Sequence, residues 1–163
     1  MSATADGRPA YDRPGYELPL LLLAGFRTII DELHAELARQ GHPHARPAHG
    51  FAMQAIGPGG ATASEVGRRL GVSKQAAGKT IDRLEALGYA ERFDDPADGR
   101  RKLVRLTARG VDALTRSAAI FDELRSRWVA AVGADRLAGL EDTLRSVVSP
   151  AAFGVDTVSW LAP

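Results

Sequence analysis

The chain has 163 residues, 45% of them hydrophobic and none of them cysteine, enough for one ordinary domain with a helical appendage. The absence of thiols excludes disulfides, cysteine-bound zinc and thiol redox chemistry, and it suits a reducing cytoplasm. The formal net charge is only +1, yet residues 64–109 hold 11 Lys/Arg against 7 Asp/Glu, the distribution expected when one central module meets a polyanion.

Residues 1–16 are rich in Pro, Gly and charge without periodicity and read as a mobile arm. The apolar run from Leu18 to Ala24 is too short to span a membrane and lacks a cleavage pattern. It continues as Phe26, Ile29, Ile30, Leu33 and Leu37, which predicts a helix packed against protein from about Leu18 to Gln40, with Pro19 in its first turn and Gly41 and Pro43 as its stop. A shorter helix is expected over Pro47 to Ile56, before the breaker Gly57 to Gly60.

Thr62 and Glu65 have capping-box spacing, and the helix they start is expected to end at Gly71, which suits a left-handed turn. Ser73 then caps the next helix, in which Ala77, Ile81, Leu84 and Leu87 recur on one buried face. Lys74, Gln75, Lys79, Asp82 and Arg83 are left to the outward side. Two helices around a short glycine-containing turn make a helix-turn-helix.

Tyr89 to Phe93 and Lys102 to Thr107 read as antiparallel strands, joined by a turn in which Pro96 fixes one corner and Gly99 permits positive φ. A two-stranded ribbon directly after a helix-turn-helix is a wing. From the cap Thr107 a long helix is expected to reach Val132, with Val111, Leu114, Ala118, Phe121, Trp128 and Val132 on one stripe broken by Arg125. Phe121 and Trp128 are expected at a dimer interface or the adjoining core. A last helix from about Asp135 to Val148 places Leu137, Leu140, Leu144 and Val147 on one side, Ser149-Pro150 ends it, and a tail with Trp160 follows.

This order resembles the MarR family of bacterial transcriptional regulators. The stretches GVSKQAAGKTIDRLEALGYAER (Gly71 to Arg92) and DPADGRRKLVRLTARG (Asp95 to Gly110) carry the likeness, and the element order matches from about Leu18 to Val148. The fold class expected is mainly α with a small β-wing. The winged helix-turn-helix spans 45–107, the helical dimerisation region 17–44 and 108–148, and the tail 149–163. The resemblance implies a homodimer that binds double-stranded DNA, usually as a repressor on a palindromic operator, and in many members is released by a small aromatic or phenolic effector.

DNA binding requires cations for phosphate, polar groups that reach base edges, and backbone donors that fix register. Ser73 and the first amides of its helix favour a phosphate. Gln75 has the amide that pairs with adenine, and Lys74, Lys79 and Arg83 share its helical phase. Gly78, costly in a helix by about 1 kcal/mol relative to Ala, has three readings: close approach to DNA, close approach to a neighbouring helix, or simple tolerance. In the wing, many family members carry two successive Arg after the Asp, the first entering the minor groove and the second tied to an acid of the recognition helix. Here those positions are Gly99 and Arg100. The departure makes Arg100 a candidate partner of Asp82 and leaves Arg101 or Lys102 to reach DNA; groove insertion by one of the three is expected.

His34, His42, His44 and His49 do not form a convincing ligand set, so no metal is assigned. No nucleophilic triad, P-loop or dinucleotide fingerprint occurs, which argues against an enzyme and against a cofactor. Phe26, His34, Phe51, Met53 and Trp128 are placed to surround a junction cavity, with no individual ligand contact assigned. No membrane partner is expected. The competing class is a winged-helix protein-interaction module, to be separated by replacing Lys74, Gln75, Lys79 and Arg101.

Overall fold

A computed structural model describes residues 13–148. The expectations for residues 1–12, for Ser149-Pro150 and for Trp160 lie outside them. Eight elements follow in order: α1 (Glu17–Arg39), α2 (Pro47–Ile56), α3 (Ala63–Leu70), α4 (Lys74–Ala86), β1 (Ala90–Asp95), β2 (Asp98–Leu106), α5 (Ala108–Val132) and α6 (Ala134–Val147).

Local chemistry sets most of the boundaries. Thr62 and Glu65 form a complete capping box at the start of α3, satisfying amide donors that would otherwise lack partners. Gly71 ends α3 in the left-handed region, at φ 67°, where a side chain would be strained. The Ser73 hydroxyl accepts from the Ala76 amide at 3.1 Å and opens α4, and the Thr107 hydroxyl accepts from Gly110 at 3.2 Å and opens α5.

Two apolar clusters result. The larger joins α2, α3, α4, the wing root and the first turns of α5, with Ala77, Ile81, Leu84 and Tyr89 fully buried. Leu87, expected beside them, is partly buried. The smaller cluster sets Leu33 and Leu37 of α1 against Ile120 and Leu124 of α5.

The stripe expected on α5 is corrected. Val111 and Val132 are exposed, whereas Gly110, Ala113, Leu114, Ile120 and Leu124 are buried and Phe121 and Trp128 half-buried. The helix turns its start to the winged-helix lobe and its middle to α1, and its contact with the lobe uses small residues that a count of large apolar positions passes over. Arg125 interrupts the stripe because it bridges to α6, its Nε 2.8 Å from Glu141 Oε1.

The helix expected to pack along Leu18 to Leu37 does so only in its second half. Leu18, Leu20, Leu21, Leu22, Leu23 and Phe26 are exposed in the single chain, and so are Leu140 and Val147 of α6.

The wing is longer than expected and its turn tighter. Asp95 pairs with Asp98, leaving Pro96 and Ala97 as the turn, while Asp94 pairs with Lys102. Gly99, Arg100 and Arg101 therefore fall in an irregularity of the ladder, which frees them from its alternation. Gly99 is part of β2 and is not among the described residues with positive φ, so the corner comes from Pro96 and from the Asp95 and Asp98 carboxylates. These accept the amides of Ala97 and Arg100 at 2.9 and 3.1 Å. At the other end the wing is anchored, because Val104 exchanges two backbone hydrogen bonds with Ala61 just before α3.

Candidate nucleic-acid interface

Burial of Ala77, Ile81 and Leu84 rotates α4 so that Lys74, Gln75, Ala76, Lys79, Asp82 and Arg83 face outward. Lys74, Lys79 and Arg83 form no ion pair among the described residues, and Gln75 is exposed at the first turn. Gly78 borders this face, and outside its own helix backbone no atom of the described residues lies within 4 Å of the place where a Cβ would stand. Among the described residues, therefore, no neighbouring helix requires the glycine.

Beside α4 stands the wing. Thr62, Ser64 and Lys74 on one side and Arg92, Arg100, Arg101 and Lys102 on the other line a cleft of about 480 Å³. Five cations around one cleft create a field that favours phosphate.

The wing cations do not share one job. Lys102 is paired with Asp94, directly across the ladder, and Arg101 lies 3.7 Å from Asp95. Arg105 pairs with Glu91 at 2.7 Å and lies over the Phe93 ring. The expected Arg100–Asp82 pair is not formed. Arg92 of β1 holds Asp82 instead, with Nη2 2.8 Å from Oδ1, and pairs with Glu85 as well. Arg100 is left exposed at the tip, with no side-chain ion pair among the described residues, so the assignment of roles within the wing is reversed: Arg100 is free to reach, and Arg101 and Lys102 are engaged.

Arg92 escaped the sequence reading because nothing in YAER sets it apart from any strand arginine. The available signal was indirect, namely two acids, Asp82 and Glu85, three residues apart on a helix expected to face DNA.

Of the histidines, His42 is buried where the α1–α2 linker meets the lobe. Its Nε2 lies 2.8 Å from Asp112 Oδ2 and its Nδ1 3.2 Å from the Tyr89 hydroxyl oxygen, so both ring nitrogens are hydrogen-bonded. Hydrogen bonds from Arg116 and then His42 hold the Asp112 carboxyl below its ordinary range. His49 is buried on α2, and its Nδ1 has no hydrogen-bond partner among the described residues.

Burial above all, with Arg46 beside both rings and Arg83 beside His49, lowers the pKa of His34 and His49 below the usual value. Because the unfolded chain takes up these protons first, stability is full above about pH 6.5 and declines as pH falls below it. A urea unfolding midpoint measured at about pH 5.5 should lie below that at about pH 7.5. His34→Gln with His49→Gln should flatten the difference, and an unchanged difference would reject these groups as its source.

The cavity expected at the junction is only partly as read. A small cavity of about 60 Å³ between α1, α2 and α5 is lined by His34, Phe51 and Met53 together with Arg46, Gln54 and Ser117. Phe26 and Trp128 are not on its wall. Trp128 lines a separate, nearly apolar groove of about 320 Å³ with Ile29, Leu137, Leu140 and Leu144.

Helix-turn-helix, wing and flanking helices together make this a winged helix-turn-helix protein with a helical appendage. Residues 49–101 match the model of the MarR family. Solved structures share the fold over most of the chain. A mutant of MarR from E. coli, complexed with operator DNA, is 24% identical with a TM-score of 0.65, over 82% of this chain and 94% of that one. FabT of Streptococcus pneumoniae in complex with DNA is 18% identical with a TM-score of 0.69, also over 82% and 94%. YusO of Bacillus subtilis is 23% identical with a TM-score of 0.63, over 82% and 95%. A comparison with curated proteins returns no match.

Proposed function

We propose that the protein is a cytoplasmic, homodimeric transcriptional repressor that reads a palindromic operator in double-stranded DNA. The observation that carries this reading is the face shared by α4 and the wing, where a capped helix presents Lys74, Gln75, Lys79 and Arg83 beside the cation-lined cleft. Ser73 and the free amides of Lys74 and Gln75 meet a phosphate, Gln75 reaches base edges in the major groove, and the Lys74, Lys79 and Arg83 side chains meet the backbone. Arg100 enters the minor groove, with Arg101 and Lys102 supporting the tip. MarR and FabT, which share the fold and whose structures contain DNA, support the DNA-binding reading.

The exposed leucines of α1 and the apolar groove between α1, α5 and α6 belong to the dimer interface. A run of this kind is a poor surface for a soluble monomer, and a second copy covers it by supplying its own run to the partner groove. Leu21→Asp with Leu22→Asp should convert the dimer to a monomer in sedimentation and lower operator affinity by at least about a hundredfold, because one lobe binds alone. A double variant that remains dimeric would displace the interface. Release of the DNA by a small aromatic or phenolic effector is part of this proposal.

Selection of duplexes from a random pool tests the function. An inverted repeat should be enriched, with half-sites one helical turn apart or a multiple of it. A pool that stays random after several rounds would refute sequence-specific binding.

A further inference from the structure

We infer that Arg92 is a positioning residue, which fastens the recognition helix to the root of the wing and so sets where the wing tip meets DNA; this rests on the DNA-binding reading above. The recognition helix carries two carboxylates, Asp82 and Glu85, beside the face that approaches phosphate. Carboxylates in such a place weaken binding to a polyanion by like-charge repulsion. The tie gives them a role that offsets this repulsion.

Both are held by one side chain. Arg92 Nη2 is 2.8 Å from Asp82 Oδ1, its Nη1 pairs with Glu85, and the Arg92 backbone amide donates to Glu85 Oε1 at 3.0 Å. A guanidinium presents several donors in a fixed plane, so it engages two carboxylates at once, whereas an ammonium is a point charge. Arg92 itself is well anchored, because its ladder partner Val104 is 1% exposed and bonded on its other side to Ala61.

The tip lies about three residues beyond, roughly 10 Å at 3.3 Å per residue. A swing of the hairpin by about ten degrees at its root moves the tip by about 2 Å, enough to misplace a side chain that must enter a groove of about 6 Å. The same tie releases Arg100, since the acids of α4 already have their cation.

The test exploits the sign of the charges. In the double variant Asp82→Asn/Glu85→Gln, removal of two negative charges from a DNA-facing helix raises affinity if these groups are merely solvated. Positioning by Arg92 requires the opposite. Affinity for the duplex selected by the wild-type protein should fall by about tenfold or more, a coupling of ordinary size, and minor-groove protection by the wing should fade while the unfolding midpoint and dimer mass stay unchanged. Arg92→Gln should lose as much as the double variant, the triple variant should lose no more, and Arg92→Lys should recover part.

Equal or tighter binding by the double variant, with wing protection intact, overturns the proposal. So does an Arg92→Gln variant whose only change is a salt slope lower by about one, which would make Arg92 a phosphate contact. A wild-type protein that selects no duplex refutes the DNA-binding reading and this inference with it, whereas the other results strike the inference alone.

Discussion

Gly110→Ala is expected to destabilise the protein by about 3 kcal/mol or more, the size associated with overpacking that the surroundings cannot relieve. Gly110 is buried in the first turn of α5, and a Cβ there would overlap the Tyr89 carbonyl oxygen and stand 3.1 Å from its carbon and 3.4 Å from Leu106 Cβ. The obstacle is backbone, which cannot swing away as a flexible side chain does. Tyr89 is itself immobilised: its carbonyl accepts from Thr107 at 3.1 Å, its hydroxyl meets His42, and its ring is fully buried under the Arg109 guanidinium. Relief at Gly110 therefore has to come from moving α5 away from the wing root. Gly78→Ala is the matched control, because its surroundings are open; it should stabilise the free protein by up to about 1 kcal/mol. Urea unfolding of the two variants decides the point, and a Gly110→Ala midpoint equal to that of the wild type would mean that the close approach of α5 to Tyr89 is not part of the fold.

The triple replacement Lys74→Ala/Lys79→Ala/Arg83→Ala is expected to lower operator affinity by roughly a thousandfold or more at physiological salt, and to reduce the log–log salt slope by about five for a dimer in which six phosphate contacts are lost. All three side chains are exposed and none is ion-paired among the described residues, so the fold and the dimer should be unaffected. The salt slope separates phosphate contacts from base contacts. A Gln75→Ala variant should lose affinity for one base position while leaving the slope almost unchanged. Loss of affinity in the triple variant without a change of slope would mean that these cations act by some route other than displacing counterions.

The helix starts and stops were the most legible part of the chain, because each depends on residues within four positions of one another. Thr62 with Glu65, Gly71, Ser73 and Thr107 stand where their hydrogen-bonding and backbone preferences put them. The buried face of α4 was legible for a related reason: its apolar positions repeat strongly and its lobe has one core. The face of α5 was less so, since α5 serves two cores in succession and meets the first through Gly110 and Ala113, whose small size permits close packing but contributes little to an apolar pattern. Within the site, the basic character of α4 and the wing was readable from composition. The division of labour among the wing cations was not, because it depends on the ladder register around Gly99 to Arg101 and on a contact between Arg92 and residues seven and ten positions earlier.

The central claim, sequence-specific binding of DNA through α4 and the wing, is tested most directly by fluorescence anisotropy of the wild-type protein with the duplex enriched by selection and with a scrambled duplex of the same composition, each titrated over a range of salt. The enriched duplex should bind about a thousandfold or more tightly than the scrambled one at physiological salt, and both should weaken steeply as salt rises. Equal affinity for the two duplexes, or binding indifferent to salt, would contradict it.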